Sequence, residues 1–146
     1  IKNKRFEIIG VLGEKGSGKT KWLIDNANEE MKNGNGNVIF IDVEDDHIYS
    51  LDYSVRLINI TNYKINTLRS LYGFLCGVVA MDYDIEKIYV DSVYKIITMT
   101  GEELEVLDKE LEEIGKEYEV EFFLNIDFTM ANAPEFVKKK AFQVER

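Results

Sequence analysis

The sequence holds one cysteine, Cys76, one proline, Pro134, and one histidine, His47. A lone thiol closes no intrachain disulfide, and no cysteine pairs stand at zinc-ligand spacing. Cys76 lies in the apolar segment LYGFLCGVVAM and reads as core packing rather than as a reactive thiol. No apolar run approaches the roughly 18 residues of a membrane-spanning helix. Positive charge is also short: 18 lysines and arginines face 27 aspartates and glutamates, for a net charge of −9. That balance argues against broad contact with nucleic acid or an anionic membrane, which needs a basic surface. The longest basic run, Lys138-Lys139-Lys140, reads as a solvated helix end. With no disulfide and no secretion signal, the expected compartment is the cytoplasm.

What is present suits one ordinary core. The 146 residues are 45% apolar and 12% aromatic, enough for a single domain over 1–146, with no internal repeat or low-complexity segment. FEIIGVLG, residues 6–13, is an apolar run that reads as a buried strand. Residues 18–33 read as a helix with Leu23, Ala27 and Met31 four apart, Trp22 and Ile24 widening the stripe, and Gly34 and Gly36 stopping it. Strands are expected over 37–43 and 54–60, joined by a polar stretch too short for a full crossover helix. An apolar helix is expected over 64–81 and a strand over 86–92.

Thr100 and Glu103 match a capping box, followed by a stripe of Leu104, Leu107, Leu111, Ile114 and Tyr118. Glutamates on the outer face of that helix read as a solvated surface. VEFFLNID, 120–127, reads as the last strong strand, and Asn132, Pro134 and Glu135 open a short helix to about Lys140. Strands alternating with helices predict a three-layer α/β/α sandwich around a mostly parallel sheet of about five strands.

Glycine is concentrated where the first strand meets the first helix, in VLGEKGSGKT, residues 11–20. Gly13, Gly18, Lys19 and Thr20 fit G-x-x-x-x-G-K-[ST], and Gly16 adds a further glycine. Glycines let a loop curl so that successive N–H groups point inward around a phosphate. The helix that begins there adds its unpaired N–H groups and its positive dipole end. The segment Gly13, Glu14, Lys15, Gly16, Ser17, Gly18, Lys19, Thr20 and Lys21 is therefore the candidate phosphate cradle. Lys19 would carry charge to the outer phosphates, and the Thr20 hydroxyl would ligate Mg²⁺. Glu14, Lys15 and Ser17 read as spacers and backbone donors.

On these residues the chain resembles the P-loop NTPase superfamily. The resemblance implies the P-loop fold, ATP and Mg²⁺ as ligands, and a Walker B aspartate at the tip of an apolar strand. KIYVDS has that shape, which makes Asp91 the candidate magnesium carboxylate. Two features depart from the commonest ATPase pattern. Ser92 stands where many hydrolysing members place glutamate, and none of Arg5, Arg56, Arg69 and Arg146 has a lid or finger motif. In RecA-like members the base comes from another strand tip. FIDVEDD offers Asp42, Glu44 and Asp45, with Glu44 the first choice and an ordinary acidic loop the plain alternative. LNIDFT offers Asn125, then Asp127, for a sensor role at the γ-phosphate, against simple hydrogen bonding to a loop. His47, among acids, reads as a surface histidine.

Three functions compete. The first is a slow or partner-stimulated RecA-like ATPase, working as a homo-oligomer or with a protein partner that supplies an arginine. The second is a small-molecule or nucleotide kinase, which lacks here an arginine lid and a substrate insert. The third is a nucleotide sensor with little turnover. No N-K-x-D guanine motif is present, which favours ATP. GEKGSGKT, VRLINI, LYGFLCG and YVDSVYKI are also similar to short bacterial ATP-binding proteins, some labelled after the twitching-motility ATPase. The motility label is not carried over, because that motor needs an N-terminal domain and motifs not found in these 146 residues.

Overall fold

A computed structural model describes residues 8–12, 18–125, 135 and 142–143, without the side chains of 8–12, 142 and 143. In chain order these residues form β1 (Ile8–Leu12), α1 (Lys19–Asn33), β2 (Asn37–Asp42), β3 (Arg56–Asn59), α2 (Leu68–Met81), β4 (Ile85–Val90), α3 (Gly101–Tyr118), β5 (Glu121–Asn125) and β6 (Phe142–Gln143). The strands join in one six-stranded sheet of order β3-β2-β4-β5-β1-β6. Every pairing in it is parallel. The expected α/β class with a parallel sheet is present; β6 at the edge is a strand that the sequence reading missed. The short helix expected after Asn132 lies outside the described residues apart from Glu135.

Strand alternation explains the layers. Odd and even residues of a strand face opposite sides of a sheet. Ile39, Ile41, Ile88, Val90, Phe122 and Leu124 pack with α2 and α3 on one face. Val38, Phe40, Tyr89 and Phe123 pack with Leu23, Ile24 and Ala27 of α1 on the other. Covered on both faces, the central strands are apolar nearly throughout, as a buried parallel sheet requires.

Local chemistry sets the helix ends. α2 starts at Leu68, later than the expected residue 64. Thr67 caps it by accepting from Ser70 N–H, and the Ser70 hydroxyl reciprocates toward the Thr67 backbone. Lys64, in the left-handed region at φ 59°, closes a separate 3-10 turn over Ile60–Tyr63. Thr100 caps α3 as expected, accepting from Glu103 N–H at 3.1 Å. Of the expected α3 stripe, Leu104, Leu107 and Leu111 are buried, but Tyr118 is exposed on the last turn. Cys76 is half-buried rather than fully packed, on the partly covered flank of α2.

Candidate functional site

The sheet register brings the chemistry together. Phe40, Tyr89 and Phe123 occupy one rung of β2, β4 and β5, with Tyr89 stacked on each neighbour. Two residues further toward the C-terminal ends come Asp42, Asp91 and Asn125. Asp91 N–H donates to Ile41 O at 2.8 Å, extending the β2–β4 ladder by one residue past Val90. The same alternation therefore turns Asp42, Asp91 and Asn125 toward the α1 face. All three are buried, at 0%, 0% and 1% exposure.

Helix α1 runs back down this face in step with the rungs. Trp22 meets Phe123, with ring centroids 6.0 Å apart, and Asn26 accepts from the Tyr89 hydroxyl. Further down, Glu30 lies 3.9 Å from Lys87. Lys19 is one turn above Trp22, so it starts the helix at the level of the polar rung. Its side chain is buried, with Nζ 5.7 Å from the centroid of the Tyr94 ring. Gly18, just before it, adopts φ 95°, a left-handed conformation that a side chain would strain.

Hydrogen bonds orient the buried carboxylates. Asn125 Nδ2 donates to Asp91 Oδ1. Asp91 Oδ2 and Asn125 Oδ1 are buried with no hydrogen-bond partner among the described residues. Val43 N–H donates to Asp42 Oδ1 at 2.7 Å, and His47 Nδ1 lies 3.1 Å from Asp42 Oδ2. Burial pushes the Asp42 carboxyl above its ordinary range, and the facing Asp91 adds to the rise; the bonds to His47 and Val43 oppose it. One donor atom from each of Asp42, His47 and Asp91 lies within 4.8 Å of the other two.

The loop carrying His47 is tied down on the α1 face. Asn28 Nδ2 donates to Ser50 O at 2.9 Å, and Asp52 N–H donates to Asn28 Oδ1 at 2.7 Å. Leu51 and Val55 bury against α1. The imidazole therefore sits over the end of β2 rather than among surface acids, and its side chain is 27% exposed.

Of the sequence candidates, the fold brings Asp91 and Asn125 into direct contact and starts α1 with Lys19 at their level. Thr20 is half-buried in the first turn of α1. Lys21 points to solvent, paired with Asp25 at 2.6 Å. Gly13, Glu14, Lys15, Gly16 and Ser17 lie outside the described residues, as does Asp127. Glu44 is half-buried in the bend after β2. Strand β2 ends at Asp42, so the alternation that would align Glu44 with Asp42 stops before it.

Ser92, directly after Asp91, is buried at φ 59°, making the sharp turn that ends the strand. His47, read from the sequence as a surface histidine, is half-buried beside Asp42. Its only sequence signal was a histidine five positions after a strand-terminal aspartate. No protein-family model and no curated protein matches the chain.

Proposed function

We propose that the chain is an ATP/Mg²⁺-binding P-loop NTPase domain of the RecA-like type, with slow or partner-stimulated hydrolysis. The observation that carries this reading is the strand order. β5 lies between β1 and β4, so Asn125 stands between the strand that leads to the glycine-rich segment and the strand that ends in Asp91. That order favours the RecA-like reading; a kinase reading would gain from Asp91 on a strand directly beside β1. The ends of parallel strands are also where open α/β sheets bind ligands.

The residues fit a magnesium ion on this chain's own terms. Asp91 Oδ2 is a buried carboxylate oxygen without a partner among the described residues. Mg²⁺ favours one carboxylate with waters and phosphate oxygens. Thr20 and Asp91 would hold the ion, which when bound neutralises phosphate charge. Lys19, anchored at the first residue of α1, would carry positive charge to the outer phosphates. Asn125 positions Asp91 through its amide. Asp42 joins Glu44 as a candidate for orienting the attacking water, because it faces Asp91 and burial raises its proton affinity.

A second reading, a sensor with little turnover, is favoured by Ser92. It fills the position where a glutamate would act, in a buried left-handed turn. Calorimetry with ATP and Mg²⁺ on the wild-type protein and Lys19→Ala tests the common core of both readings. Binding by the wild type that falls at least about tenfold in the variant is expected from the loss of a charged phosphate contact. Equal affinity in the two proteins overturns the assignment. Phosphate release from ATP alone then separates the ATPase from the sensor, and ADP formation that needs an added acceptor would identify a kinase.

A further inference from the structure

We propose that Asp42, His47 and Asp91 form a site for a first-row divalent transition-metal ion such as Mn²⁺, one that fills without nucleotide. The site shares Asp91 with the proposed magnesium position and otherwise stands apart from that reading.

The donor set carries the argument. Two carboxylates bring a formal charge of −2, matched to a dication. The third donor is an imidazole, a ligand suited to transition ions, whereas Mg²⁺ prefers oxygen and keeps its waters. Two donors about 2.1 Å from one ion stand about 3 Å apart at a right angle and about 4.2 Å apart when opposed. The three donor atoms here lie within 4.8 Å of one another, and an ion can hold only one opposed pair among three donors, so side-chain adjustments of up to about 1–2 Å close the site.

The second observation is independent of this clustering. Asp91 is fully buried, and among the described residues its Oδ2 meets no hydrogen-bond donor. A buried ionised oxygen without a partner is costly unless a cation or donor meets it. Each carboxylate is also held by its other oxygen, Asp91 by the Asn125 amide and Asp42 by Val43 N–H. Such outer contacts fix a ligand's direction in metal sites. His47 is the most exposed member and gives an ion its way in.

The test uses chelator-treated, nucleotide-free protein and Mn²⁺ alone, followed by electron paramagnetic resonance. One saturable Mn²⁺ per chain is expected, with a nitrogen coupling from the imidazole in the pulsed spectrum. His47→Gln should remove that coupling and weaken Mn²⁺ binding at least about tenfold, while changing Mg²⁺ affinity by less than about twofold. The proposal is overturned by no saturable Mn²⁺ binding up to about 1 mM, far above the affinity expected of a three-donor site. Binding without nitrogen coupling and unchanged in His47→Gln overturns it as well. Triphosphate binding is measured separately on the same samples. Imidazole-coupled Mn²⁺ without triphosphate uptake keeps this site and removes the P-loop reading, and the reverse result does the opposite.

Discussion

Asn125 at the end of β5 donates its side-chain amide to Asp91 at the end of β4, and so commits one carboxylate oxygen while the other has no partner among the described residues. This arrangement sets direction without supplying charge. The amide holds Asp91 in place, and nothing in the described residues meets its Oδ2 with a donor. Asn125→Ala is expected to remove that anchor and expose the nearby β-strand ends to water. A loss of about 1–3 kcal/mol of stability in urea denaturation checks it, the usual cost of stranding a buried hydrogen-bonding group.

Asp42→Asn is expected to stabilise the ligand-free protein at neutral pH by about 1 kcal/mol. The change removes one of two buried carboxylates that face each other, while Asn can still accept from Val43 N–H. Sites of this kind trade stability for chemistry. Differential scanning calorimetry on metal-free samples reads the shift, and a lower Tm in the variant would show that the two acids do not repel. If Asp42 orients the attacking water, the same variant loses ATP turnover. If Glu44 does, Glu44→Gln is the one that loses it.

Tyr89 is fully buried and hydrogen-bonded to Asn26, and burial, aided by Glu30 and Glu121, raises its phenol well above the ordinary value of 10.0. The folded state therefore holds this proton where the unfolded chain releases it. The resulting stability is full below pH 10.0 and is lost as pH rises above it. Tyr89→Phe should cost about 0.5–1.5 kcal/mol at pH 8 through the lost hydrogen bond. It should also unfold less steeply than wild type between about pH 10 and 11. Parallel pH slopes for the two proteins would refute the account.

Gly36→Ala is expected to destabilise by about 1–3 kcal/mol, the range of overpacking. An added Cβ would stand 2.5 Å from the Asp84 carbonyl oxygen and would meet the Glu86 side chain. Glu86 would be met at its Cγ and Cβ, close to the backbone, and Asp84 O accepts from Asn37 N–H at 2.7 Å and cannot move without opening the start of β2. A chemical denaturation midpoint equal to that of wild type would show that the turn relaxes.

Much of the secondary structure could be read from local pattern. The α1 stripe of Leu23 and Ala27, the Thr100 cap and the β-branched run of β2 each follow short-range rules of period, capping and branching. The start of α2 was missed because Thr67 and Ser70 form a capping pair inside a segment that reads as continuously helical. Of the glycine-rich segment, the described part is Gly18, whose φ of 95° suits the glycine found there.

The pairing of distant strands obeys no such local rule. Asp42, Asp91 and Asn125 share a rung only because β2, β4 and β5 are neighbours in one register. Glu44 was the first choice within FIDVEDD, but the strand stops at Asp42 and the chain then bends before Glu44. His47 joined the acids through the Asn28 clamp on its loop, a contact between residues 22 and 24 positions apart. Composition and periodicity constrain what each segment can become. Which side chains meet is set by how the sheet orders its strands, a free-energy balance over the whole chain that no single segment contains.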